Sequence, residues 1–128
     1  MRFMMLMIPA VKEDKWMPTA EAVAAMTKFN QEMIKAGVML TADGLQAPSK
    51  AVRVSFGAGG SKVTDGLSAD ARDVVGGYWM IQAASKAEAV EWARRCPAAP
   101  GDTIEIRQVA EMSDFPEDVQ KAAAENQK

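Results

Sequence analysis

The chain has 128 residues, 48% hydrophobic and 25% charged, which is enough apolar content for one packed core and too much for a disordered chain. With 15 Lys and Arg against 17 Asp and Glu the net charge is -2, so there is no basic excess to neutralise a row of phosphates, and nucleic-acid binding is not expected. One cysteine excludes an internal disulfide and suits a reducing, cytoplasmic setting, while the absence of histidine excludes a Ser-His-Asp triad, a Cys-His pair and a His-ligated zinc site.

In chain order, Arg2 to Ile8 reads as a strand with both faces apolar: Phe3, Met5 and Met7 on one, Met4, Leu6 and Ile8 on the other. Lys12, Glu13 and Asp14 interrupt this apolar start well before the roughly 20 residues of a membrane span, and no small-residue cleavage site follows, so neither a membrane segment nor a signal peptide is expected. Thr19 to Ala36 reads as a helix. Thr19 can cap it, Glu21 suits its positive end, Gly37 can stop it, and Ala22, Ala25, Met26, Phe29, Met33 and Ala36 form an apolar stripe. Strands are expected at 38–40 and 51–56, separated by a segment around Gly44, Pro48 and Ser49. Gly57, Gly59 and Gly60 form a flexible turn before a short strand at 62–64, and 65–75 is polar and irregular. Gly77 to Ala83 is a strand with Trp79, Ile81 and Ala83 on one face and Tyr78, Met80 and Gln82 on the other. Ser85 and Glu88 form a capping box that opens a helix carrying Ala89, Trp92, Ala93 and Cys96 on its buried side and ending at Pro97. Thr103 to Val109 is the last strand, and a short helix is expected after Pro116.

That order matches two related β-α-β halves, which predicts an α+β fold: a ferredoxin-like antiparallel sheet with helices on one face. The uncovered face carries half of the strand side chains and would expose an apolar patch of several hundred Å². A second copy of the chain is the economical cover, and two-fold dimers are the commonest soluble assembly.

Val63, Thr64, Asp65 and Gly66, then Gly76, Gly77 and Tyr78, then Glu88, Ala89, Glu91, Trp92, Ala93, Arg95 and Pro97, and last Glu105, Ile106 and Arg107 together resemble the YCII-related, DGPF-type proteins. The resemblance runs from the first strand to Val109. It implies one domain over residues 1–110 followed by a tail at 111–128, a dimeric α/β barrel of ferredoxin-like subunits, and, as for some members, a genetic association with an extracytoplasmic-function sigma factor. The family's Asp-Gly-Pro-Phe block stands here as Asp65, Gly66, Leu67 and Ser68, without the rigid proline and the aromatic wall. Some members of the wider superfamily carry a His-Asp dyad whose Asp precedes a proline. The corresponding place here holds Cys96 before Pro97, so the dyad does not carry over.

The remaining candidates each have a functional and a structural reading. Asp65 with Gly66 places a carboxylate at a cleft mouth as an acid or base, or is turn chemistry. Asp65, Asp70 and Asp73 gather acid charge, or form a solvated loop; no metal site is expected from their spacing. Tyr78 and Trp79 alternate on one strand, so one of them can face the dimer interior and stack on or bond a ligand, or they pack in the core. Arg107 with Glu105 clamps a carboxylate or forms a structural ion pair. Cys96 is nucleophilic if Arg94 or Arg95 lowers its pKa, or is a small buried hydrophobe. The combined reading is a cytoplasmic homodimer that binds a small molecule at Asp65, Gly66, Asp70, Tyr78 and Arg107, without a cofactor and without catalysis, as a binding or regulatory accessory module. The alternative is a cofactor-independent enzyme on a small organic substrate, with Asp65 as acid or base and Arg107 holding an anionic group.

Overall fold

The first strand, β1 (Arg2–Ile8), lies inside a four-stranded antiparallel sheet, and both of its neighbours come from the far end of the sequence. Across the sheet the order is β2 (Met39–Gly44), β5 (Gly77–Gln82), β1, β6 (Thr103–Gln108), which is the ferredoxin-like order with an extra hairpin inserted between β2 and β5. The computed structural model describes residues 1–11, 15–67 and 74–125.

The alternation read from the sequence sets the two faces. Phe3 lies opposite Ile81, and Met5 lies between Trp79 and Ile106, so these side chains stand in rows on one face. Phe3, Met5 and Ile81 are fully buried there. Helix α1 (Ala20–Lys35) closes over this face with Phe29 and Met33, and Phe29 meets Trp79 edge to face at 6.1 Å between ring centroids. Thr19 caps α1 as expected, its Oγ1 accepting from the Ala22 N–H at 3.1 Å. The buried stripe is narrower than the sequence suggested: Ala22, Ala25 and Ala36 remain exposed, because contact runs through the bulky Met26, Phe29 and Met33.

Helix α2 (Lys86–Arg94) covers the other half of the same face with Ala89, while Trp92, Ala93 and Cys96 are partly buried against the core. Its cap differs from the expected box in one bond. Ser85 Oγ accepts from the Glu88 N–H at 3.2 Å, but the Glu88 carboxylate accepts from the N–H of Ala84, one residue earlier, at 2.9 Å.

The opposite face carries Met4, Leu6, Ile8, Tyr78 and Met80, all partly buried, with Asp43, Glu105 and Arg107 exposed toward its edges. Neither α1 nor α2 packs on it.

Two expectations need correction. β2 continues to Gly44 instead of ending at Leu40, through an irregularity between Met39 and Thr41. The glycine-rich stretch is a tight connection inside one hairpin, in which β3 (Val52–Gly57), shifted by one residue from the expected strand, pairs with β4 (Gly60–Asp65), which is longer than the sequence indicated. Val52, Val54, Phe56 and Val63 share one face of this hairpin, and Phe56 is 85% exposed. The tail forms a helix as expected, α3 (Glu117–Glu125), tied back where Arg2 donates two hydrogen bonds to Glu111, at 2.8 and 3.0 Å. Among the described residues no helix is long and apolar enough to cross a membrane.

Candidate functional site

At one end of the sheet the side chains run out. Gly44 closes β2, Gly77 opens β5 directly opposite it, and Gly76 precedes Gly77. The backbone there is fully engaged: Gly76 N–H donates to Met7 O at 2.8 Å, and Leu45 N–H donates to Gly76 O at 2.9 Å. A Cβ on Gly76 would come within 3.0 Å of the Pro9 ring and 3.3 Å of the Trp16 indole. Glycine is therefore what lets the connection between β1 and α1 lie down on the sheet end. Trp16 is pinned in that position by its indole N–H, which donates to Leu45 O at 3.0 Å.

Between this wall and the segment after β2 lies a cavity of about 800 Å³, lined by Met7, Pro9, Val11, Trp16, Met17, Leu45, Ala47 and Lys50 over the floor of Gly44 and Gly76. That volume is in the range of pockets that hold small organic molecules. Lys50 is the one ionisable side chain in its wall among the described residues. A cavity of about 340 Å³ shares Met7, Gly44 and Gly76 and runs beneath α1 to Met26, Asn30 and Trp79. Its buried polar end is satisfied, since the Trp79 indole N–H donates to Asn30 Oδ1 at 2.9 Å.

Lys50 ends a single 3-10 turn, Pro48–Lys50, whose backbone is held from two sides. Lys50 N–H donates to Ala47 O, Leu67 N–H donates to Pro48 O, and Gly66 N–H donates to Ala51 O at 2.6 Å, with Pro48 buried beneath. Behind the turn is a third cavity of about 420 Å³, lined by Lys50 again together with Arg53, Leu67 and Val75.

The site residues expected from the sequence divide between two places. Asp65 ends β4 opposite Val52 and is exposed, and Gly66 follows at φ 79°, a turn conformation that glycine adopts without strain. Tyr78 and Arg107 lie on the uncovered sheet face, Tyr78 beside Leu6 and Arg107 beside Met4. Asp70 lies outside the described residues, as does Asp73. Tyr78 donates to Asp43 Oδ2 at 3.3 Å, and the Asp43 charge first, then that hydrogen bond and some burial, raise the phenol above its ordinary value. Arg107 Nε stands 4.0 Å from Glu105 Oε2, both exposed, a loose structural pair.

Cys96 takes its bland reading. Burial, followed by the charge of Asp102, pushes its thiol up to about 11, away from thiolate. The two arginines that were to activate it are engaged elsewhere: Arg94 lies 3.7 Å from Glu91, and Arg95 lies 3.4 Å from Glu32 and stacks 4.2 Å above the Trp92 ring.

Sequence reasoning passed over Trp16, Leu45 and Lys50, and used Gly76 only for the family resemblance. The one local signal was the Gly76-Gly77 pair at the mouth of a strand, together with a tryptophan between Pro9 and Pro18.

An α+β domain of this strand order, with a cavity over a glycine floor at one sheet end, is ferredoxin-like in form. The model of the YCII-related domain matches residues 1–113, and the chain belongs to the YCII-related family, as the spaced residue blocks led us to expect. No curated protein matches the chain.

Proposed function

We propose that the protein is a non-catalytic, cytoplasmic small-molecule-binding module that acts as a homodimer of the α/β-barrel type. The observation that carries the binding reading is the cavity of about 800 Å³ whose wall, among the described residues, is apolar apart from Lys50 and Gln46. Such a wall supplies burial and shape but no acid-base pair, and general acid-base chemistry needs titratable groups within hydrogen-bond reach of one another and of substrate. The homodimer is supported by two apolar surfaces, the sheet face around Leu6 and Met80, on which neither α1 nor α2 packs, and the exposed hairpin face around Phe56 and Val63. An isolated two-stranded hairpin with 65% of Val63 exposed has little to hold it, and a second subunit would supply the missing contacts.

The test uses the neutral apolar dye Nile red. Saturable binding at one dye per chain is expected, and Ala47→Phe, which fills the cavity from its wall, is expected to weaken it about tenfold or more, the loss of roughly 1.4 kcal/mol of apolar contact. Absence of saturable binding overturns the reading. So does turnover of a small organic substrate that disappears in Asp65→Ala, which would install the enzyme reading instead.

A further inference from the structure

We infer that the cleft is shaped for an amphipathic monoanion, a small apolar molecule ending in a carboxylate, with Lys50 as the group that holds the charged end. The inference rests on the proposed binding role of the cleft and adds the chemical class of its ligand.

Charge is what narrows the choice. The large cavity is lined by Met7, Val11, Trp16, Met17 and Leu45, side chains that reward an aliphatic or aromatic body, with Gln46 the one uncharged polar side chain beside Lys50 among the described lining residues. Among the described residues its one ionisable group is a cation, and the cavity behind the 3-10 turn adds another, Arg53. Among the described residues neither Lys50 nor Arg53 forms an ion pair that would occupy its charge. The nearby carboxylate, Asp43, lines the smaller cavity and already accepts from Tyr78.

Position adds to charge. Lys50 lines both cavities and so stands between the apolar cleft and the Arg53 side. The turn carrying it is tied down by the bonds from Lys50, Ala51 and Leu67 to Ala47 and Pro48 carbonyls, which fixes the root of the side chain while its tip stays free to meet a ligand. Lysine acts as a point charge with three donors, suited to one carboxylate. A phosphate dianion would ask for more donors than this wall provides, in a protein whose net charge is already -2.

The experiment titrates the full-length protein with octanoate, octanol and octylamine, each below its aggregation limit, by calorimetry, and repeats the series on Lys50→Gln and Lys50→Arg. Octanoate is expected to bind about tenfold tighter than octanol, the lower end of what a charge-assisted hydrogen bond contributes. Lys50→Gln should erase that advantage and leave octanol unchanged, Lys50→Arg should retain it, and octylamine should bind weakest. Equal affinity for octanoate and octanol, or an octanoate preference that survives Lys50→Gln, overturns the ligand class while Nile red binding stands. Loss of Nile red binding as well as of all three amphiphiles means that the binding role itself has failed.

Discussion

At the scale of single residues, Tyr78 offers the cleanest test because it is the only tyrosine in the chain. The Asp43 carboxylate and the hydrogen bond to it hold the phenol proton in place, so the tyrosinate absorbance should rise at a pH above that of a free tyrosine. Asp43→Asn should move that midpoint back down, and an unchanged midpoint would mean that the pair does not persist in solution. The Tyr78–Asp43 pair was not legible in the sequence for a specific reason. With β2 read as ending at Leu40, Asp43 belonged to a loop, and only the continued ladder sets it opposite Tyr78. Lys50 was hidden differently. It occupies an exposed-looking turn between Pro48 and Val52, and nothing local reveals that two cavities meet at it. By contrast, Ser85 and Thr19 announced their caps, because each side chain bonds a backbone N–H three residues on.

At the scale of elements, the connection from β6 to α3 is tethered by the Arg2–Glu111 pair and by the Val109 N–H bonded to Arg2 O. The hydrogen bond from Arg2 lowers the Glu111 carboxyl below its ordinary value, and Arg2 is raised in turn, so it stays charged throughout. A carboxyl depressed on folding contributes stability above its unfolded value and loses that contribution as pH falls through its lowered folded value. Acidification into the carboxylate range should therefore loosen this tether. Amide exchange at Val109, Asp114 and Phe115, corrected for the intrinsic pH dependence, should accelerate there, and Arg2→Gln should give the same acceleration at neutral pH. Both partners are exposed, so added salt should weaken the effect. Alternating strands such as β5 were legible because every second side chain obeys one face, and the helices because their caps and stripes coincide. The hairpin was understated since glycine carries no side chain to mark a face, and Gly57, Gly59 and Gly60 read as flexibility where they form a tight reversal.

At the scale of the whole molecule, the sheet face opposite α1 and α2 carries Leu6 and Met80. If the proposed homodimer buries Leu6, then Leu6→Lys places a charge in the centre of that interface and should weaken association about thirtyfold or more, the size of a hot-spot loss of 2 kcal/mol. Sedimentation against concentration reads this directly, and a wild-type chain that stays monomeric at all concentrations would defeat the homodimer. The helix-covered core, built on Phe3, Met5, Met33 and Ile81, should leave the variant folded. The strand order has a further consequence in time. β1 takes its ladder partners from residues 77–82 and 103–108, so the centre of the sheet has no neighbour nearby in sequence to pair with. Each of its ladders closes a long loop, and loop closure must be met before those contacts reward it. Until β6 arrives, β1 presents an open, methionine-rich edge, which makes assembly of this sheet a late and all-or-nothing event, and makes the unfinished chain the form most exposed to pairing with the wrong partner.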